Sequence, residues 1–419
     1  MTLPTLTFAD VRAHLLARHE IALIDLREED PYAQEHPLWA ANLSLSRLEL
    51  DAWRRIPRRD TLIVLYGEHA GEDLVPRGAA RLAALGYTNV HRLDGGLAGW
   101  IAAGGEVFRD VNVPSKAFGE LVEHERHTPS LSAEEVKALI DAKANVVVLD
   151  ARRYDEYQTM SIPGATSVPG AELVLRVREL APDPATQVIV NCAGRTRSII
   201  GTQSLVNAGI PNRVAALRNG TIGWKLAGQV LDHGAARQAP DPSAAHCAEA
   251  RSAAAAVAAR AGVRGIALNA VATLETRGRT LYRFDVRTPA EYARAHLPGF
   301  ASAPGGQLVQ ETDHHVPVRG ARIVLADDDD VRAPMTGSWL AQMGWEVYVV
   351  EAVAPDALTE QGVPDESVDT RLATLRAGRY RRPYEGTDAS REAMQAYLDW
   401  EFGLVDQLAR DGTHHFTVI

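Results

Sequence analysis

Sulfur is scarce in this sequence: 419 residues contain two cysteines, Cys192 and Cys247. Two thiols cannot staple a chain of this size, so a disulfide scaffold is excluded and a reducing, cytoplasmic setting is expected. Long apolar runs are missing too. No stretch approaches the about 20 uninterrupted apolar residues of a membrane helix, and the opening MTLPTLTFADVRAHL lacks a basic flank before an apolar run. Neither a membrane contact nor a signal peptide is expected. Basic charge is in deficit as well. The 44 Lys and Arg against 54 Asp and Glu give a formal net charge of −10, the wrong sign for a dedicated nucleic-acid binder. The patterns HExxH, CxxC, GxxxxGK and GxSxG do not occur. Zinc peptidase, P-loop and serine-hydrolase readings therefore have no support, and no metal or organic cofactor is expected.

What is present is a globular composition, 46% hydrophobic and 23% charged, in a chain long enough for several domains. Three segments resemble one another: IALIDLREEDPYAQEH at 21–36, VVVLDARRYDEYQTM at 146–160 and LYRFDVRTPAEYARAH at 281–296. Each reads as a strand ending in aspartate, an arginine two residues later, and a helical stretch with tyrosine. Each is followed by a second apolar strand (TLIVLY, QVIVNC, RIVLAD), a loop, an amphipathic helix closed by Gly86, Gly209 or Gly344, and a third strand. Strands alternating with helices predict parallel sheets covered on both faces. The expected fold is α/β: three tandem domains at 1–110, 128–236 and 262–354, each a small mainly parallel sheet flanked by helices, and a helical C-terminal tail at 355–419. Residues 108–130 and 236–246 read as linkers. The alanine-rich 249–262 reads as a helix.

Cys192 opens the loop C-A-G-R-T-R between a buried strand and a helix start. That sheet edge is where open α/β folds bind ligands. Gly194 permits tight backbone, successive N–H groups can point inward, and the helix N-terminus with Arg195 and Arg197 adds positive charge. These terms favour thiolate over thiol, and predict a nucleophile inside an anion cradle.

The pattern C-x-x-x-x-R, with Asp150, Arg152 and Glu156 before it, Pro163-Gly164-Ala165 between, and Gly220 and Trp224 after, resembles the rhodanese superfamily. The likeness is strong over 130–235 and extends to 5–107 and 265–352. It implies a sulfurtransferase of the thiosulfate type, with Cys192 and Arg197 as catalytic residues. Ala193, Gly194, Arg195, Thr196 and Ser198 would bind substrate: the two arginines orient a small anionic sulfur donor, and the backbone N–H groups hold a persulfide that a thiol or cyanide acceptor then empties. A persulfide carrier or docking protein with weak turnover is the alternative. Related phosphatases use a loop one residue longer, and Ser198 stands where their arginine would be.

Gly67 and Asp327 occupy the cysteine position in the other two copies, so neither can form a persulfide. The run Asp327 to Asp330 reads as a solvated acidic loop with the cradle's charge reversed. Asp25, Asp150 and Asp285 are expected to tie their own loop backbones, and Trp100 and Trp224 to pack closing helices. Cys247, beside His246, reads as a surface or lightly buried thiol. The tail helix SREAMQAYLDWEFGLVDQLARDG presents a broad apolar face for docking on a domain or a second subunit. With the basic loop RAGRYRRPYEG, it offers a homodimer contact.

Overall fold

The computed structural model describes residues 3–275, 278–362 and 379–419. Residues 376–378, the first three of the basic loop, and the rest of 363–378 in the tail lie outside the described residues.

Three five-stranded parallel sheets form, one for each copy. In chain order the strands lie first, fifth, fourth, second, third in every sheet. In the middle copy these are Ser130–Leu131, Val214–Leu217, Gln187–Asn191, Val146–Asp150 and Thr166–Ser167. The central strands are β-branched and buried on both faces, which is why they read as unbroken apolar runs: Val188, Ile189 and Val190 are all fully enclosed. The two short edge strands of each sheet carry too few residues for such a signal.

A repeated lock ends the second strand of each copy. The Asp25, Asp150 and Asp285 carboxylates accept the backbone N–H of Arg27, Arg152 and Arg287 at 2.9, 3.1 and 3.0 Å. The same arginines close an ion pair with them at 2.6, 2.7 and 2.7 Å. Each guanidinium then donates to a carbonyl eight residues on, that of Glu35, Met160 or Ala295. The expected loop-tying role of the aspartates is therefore seen, extended by the arginine two residues later.

The stretch read as a linker at 108–130 instead contains a helix, Val113–Arg126, with Pro114 at its start where proline suits a helix. It packs against the helix that follows Cys192, Thr196–Asn207, and against the C-terminal helix Leu404–Asp411. The alanine-rich helix runs Ala244–Arg260, capped by Ser243, and packs on the middle and third copies; Cys247 lies on it, partly buried. The first and third copies share one continuous apolar core, joined across the backbone pair Ile21 and Arg319. There the Arg319 guanidinium lies over the rings of Trp39 and Trp345, 3.7 and 4.1 Å from their centroids. Trp100 and Trp224 are buried and donate to the carbonyls of Glu106 and Val230. Among the described residues, no helix is long and apolar enough to cross a membrane.

Asp150→Ala leaves Arg152 buried without its carboxylate, and the expected cost is about 3–5 kcal/mol. A urea unfolding curve checks it; an unchanged midpoint would show that the lock contributes nothing.

Candidate active site

Cys192 follows the strand Gln187–Asn191, and neighbouring segments fix how it leaves the sheet. The Asn191 amide donates to Asp150 at 2.9 Å. Across the loop, the backbone N–H groups of Thr221 and Ile222 donate to the Cys192 and Ala193 carbonyls at 2.9 and 3.0 Å. Gly220 makes that approach possible: its φ is +54°, and a Cβ there would stand 2.3 Å from the Cys192 oxygen.

The thiol is 2% exposed and donates to Ser198 Oγ at 3.4 Å, and that hydroxyl donates to the Arg195 carbonyl at 2.8 Å. Burial pushes the Cys192 thiol up, against the Arg197 charge and the Ser198 hydroxyl and backbone N–H, which pull it down. This corrects the expectation that every nearby term favours thiolate: desolvation of the charged form is the larger effect. Arg197 forms a two-point pair with Glu156 at 2.7 and 2.9 Å. Burial alone would raise the Glu156 carboxyl, but Arg197, with Arg152 and Arg153, outweighs it and holds the group well below the usual carboxylate range.

Arg195 departs from its expected role. Its guanidinium is buried in a pair with Glu120 at 2.7 and 2.9 Å, and bonds Glu123 and the Asn219 side chain as well. Both carboxylates sit on the helix Val113–Arg126, so this arginine anchors the loop instead of offering a free charge to a donor. Thr196 also faces that helix, against Gly119.

The C-terminal segment covers the loop. Tyr384, Met394, Tyr397 and Leu398 pack on Ala193 and Ile222. A Cβ at Gly194 would stand 3.3 Å from both the Tyr397 ring and Glu401 Oε2. Glu401 is 1% exposed and accepts from the Tyr397 hydroxyl at 2.8 Å. Burial, with the Glu120 charge, pushes its carboxyl up to about 8. Lys116, paired with Asp110 at 2.7 Å, points its ammonium toward Tyr384, Tyr397 and Trp400. The sequence gives the tail's apolar face but not its target. Nothing in the local pattern at Glu120 or Glu401 marks either carboxyl as buried.

The other two copies show what the loop holds. In the third, Asp327 accepts the backbone N–H groups of Asp330, Val331 and Ala333 at 3.1, 3.1 and 2.8 Å. By register these are the counterparts of Arg195, Thr196 and Ser198. Asp327 is 2% exposed and Asp329 is buried too, while Asp328 is exposed and Asp330 half-buried, so only part of the run is the solvated loop expected. Nor is the cradle simply reversed in charge: Arg332 still pairs with Glu291, as Arg197 does with Glu156, and also with Glu172 of the middle copy. In the first copy, a small antiparallel hairpin, Glu68–His69 with Glu72–Asp73, follows Gly67. Among the described residues, no group of three or more His, Cys, Asp or Glu side chains is placed to hold a metal ion.

The sequence pattern of the Rhodanese-like domain matches residues 7–103, 132–227 and 270–352. The chain belongs to the rhodanese family. A solved thiosulfate sulfurtransferase from Pseudomonas aeruginosa is 52% identical, superposes with a TM-score of 0.95, and is matched over 100% of both chains. A thiosulfate sulfurtransferase from Azotobacter vinelandii is 26% identical over 209 residues, 46% of this chain and 76% of that protein. The HTH-type transcriptional regulator Rv0324 of Mycobacterium tuberculosis is 33% identical over 90 residues. That match spans 22% of this chain and 39% of the regulator's length.

The raised Glu401 carboxyl has a consequence for this rhodanese-like chain. The folded state holds its proton up to about 8 while the unfolded chain releases it near 4.5, so stability falls as pH rises through that window. The slope is up to about 1.4 kcal/mol per pH unit. Glu401→Gln is expected to flatten the decline in melting temperature between pH 6 and pH 8; equal slopes in both proteins would overturn the assignment.

Proposed function

We propose that the chain works as a sulfurtransferase in which Cys192 carries a sulfane sulfur as a persulfide, within a catalytic unit at 128–236. The observation that carries this reading is the third copy's loop, where the counterpart N–H groups converge on the Asp327 carboxyl oxygens at the cysteine position. A persulfide on Cys192 would meet the same N–H groups, with Arg197 beside it.

The chemistry balances in two displacements. The Cys192 thiolate attacks the outer sulfur of thiosulfate; the S–S bond to the sulfite group breaks, sulfite leaves with the bonding pair, and Cys192 persulfide remains. An acceptor thiolate then attacks the terminal sulfur and leaves with it, restoring the Cys192 thiolate, while cyanide in the same role leaves as thiocyanate. With Arg195 held by Glu120 and Glu123, the charge acting on the thiol comes from Arg197, itself paired with Glu156. The enclosed thiol suits small donors and acceptors better than a protein partner, which favours this reading over a pure carrier. The units at 1–110 and 262–354 lack a thiol at the position of Cys192. A free, unpaired thiol of this kind suits the cytoplasm.

Incubation of the full chain with thiosulfate is expected to add about 32 Da, one sulfur atom, to Cys192. Cyanide should remove it as thiocyanate, and Cys192→Ser should do neither. Thiocyanate production surviving in that variant would sink the proposal. Because burial raises the thiol, the loading rate should keep climbing with pH to 9 and beyond; a plateau already at pH 7 would contradict a thiol held in its neutral form.

A further inference from the structure

At the junction of the first and third copies, away from the catalytic loop, Arg319 carries a charge that the protein does not answer. Among the described residues, no side chain takes a hydrogen bond from its guanidinium or pairs with it by charge, and Nη1 is enclosed without a partner. The Arg319 backbone N–H and carbonyl are spent on Ile21, at 2.9 and 3.1 Å. Glu20, next to Ile21 in the chain, holds Arg58 at 2.8 Å and the Thr280 N–H at 2.6 Å. That carboxylate is therefore committed elsewhere.

Arginines are almost never buried unless paired, because the charge loses its water. The two indoles that Arg319 touches attract a cation through their faces but bring no net negative charge. Burial, with the charge of Arg18, pushes the Arg319 guanidinium down to about 9. The same field reaches the C-terminal segment. There burial, with the Arg18 and Arg319 charges, pushes the His415 imidazole down, against its bond to the Leu15 carbonyl.

The geometry leaves one approach for a counterion. Trp39 of the first copy and Trp345 of the third have ring centroids 3.7 and 4.1 Å from the guanidinium carbon. Rings this close cover the faces of the planar group, so an anion has the N–H edge. The residue keeps 8% of its surface open, and the cluster is reached from outside. Trp39 spends its own N–H on Thr413 Oγ1 at 3.1 Å, whereas Trp345 Nε1, in a residue 6% exposed, is enclosed and unpartnered. Two buried donors thus stand in one cluster. A dianion would exchange a buried positive charge for a buried negative one, and a large organic anion would not enter along an edge between two indoles.

We propose that this junction binds one small monovalent anion of the halide class, with Arg319 as its seat and Trp345 Nε1–H as a second donor, and that the ion strengthens the contact between the first and third copies.

The probe is bromide, with the full chain in crystals and in solution. Anomalous diffraction is expected to place bromide in the plane of the Arg319 guanidinium, on the side of Trp345 Nε1. In solution, replacing sodium gluconate by sodium bromide at fixed ionic strength should raise the melting temperature saturably. Arg319→Met keeps a long stem for the indoles to cover. It should need at least about ten-fold more bromide for half the effect, while thiosulfate loading of Cys192 stays as in the parent. Sulfate should give no saturable rise that depends on Arg319. Bromide elsewhere or absent, an equal response in the variant, or an equal Arg319-dependent rise with sulfate would each overturn the proposal. So would a diffraction peak without a saturable rise in solution, an adventitious ion only. If Arg319→Met does not fold, the position of bromide and the titration of the parent decide the question by themselves.

Discussion

Arg195 pairs with Glu120 and Glu123 inside the protein, and this contact ties the Cys192 loop to the helix Val113–Arg126. Burying a guanidinium and a carboxylate costs several kcal/mol each, repaid only when the geometry is good and the remaining hydrogen bonds are made. Here Glu120 engages at two points and Asn219 takes a further N–H. The helix bearing both glutamates also touches the C-terminal helix, and Ser115 on it donates to Gln310 of the third copy. Through that helix the ion pair links the Cys192 loop to the C-terminal helix and to the third copy.

The loops of the middle and third copies share a geometry without sharing a chemistry. In the third copy the loop closes around a carboxylate of its own, and the Arg332–Glu291 pair repeats the Arg197–Glu156 pair. A backbone that converges N–H groups on one point forms a concavity suited to a hydrogen-bond acceptor. Asp327 fills that point in the third copy, although burial and the neighbouring Asp329 push its carboxyl well up. Cys192 stands at the same point in the middle copy, its thiol also pushed up by burial.

Much of this was legible in the sequence because it depends on local pattern. Strands ending in Asp-x-Arg, helices stopped by Gly86, Gly209 and Gly344, and the six-residue loop after a buried strand each carry their signal within a few residues. The misreadings have a common physical origin, which is polar residues buried by partners far away in the chain. Lys116 and Glu120 broke the apolar pattern of the helix Val113–Arg126, so that stretch read as a linker. Arg195 and Arg197 look alike in sequence, and only the position of Glu120 and Glu156 separates an anchor from a residue beside the thiol. The thiol's protonation was misjudged because enclosure by Tyr384 and Tyr397 cannot be seen from residues 187–201.

The contact between Gly194 and the tail has an evolutionary consequence. Residues 194, 397 and 401 share one small volume, in which a single added methyl would sit 3.3 Å from both a tyrosine ring and a glutamate oxygen. A side chain added at 194 needs the Tyr397 ring or the Glu401 carboxyl to give by a few tenths of an ångström, so two segments some two hundred positions apart restrict each other's sequence.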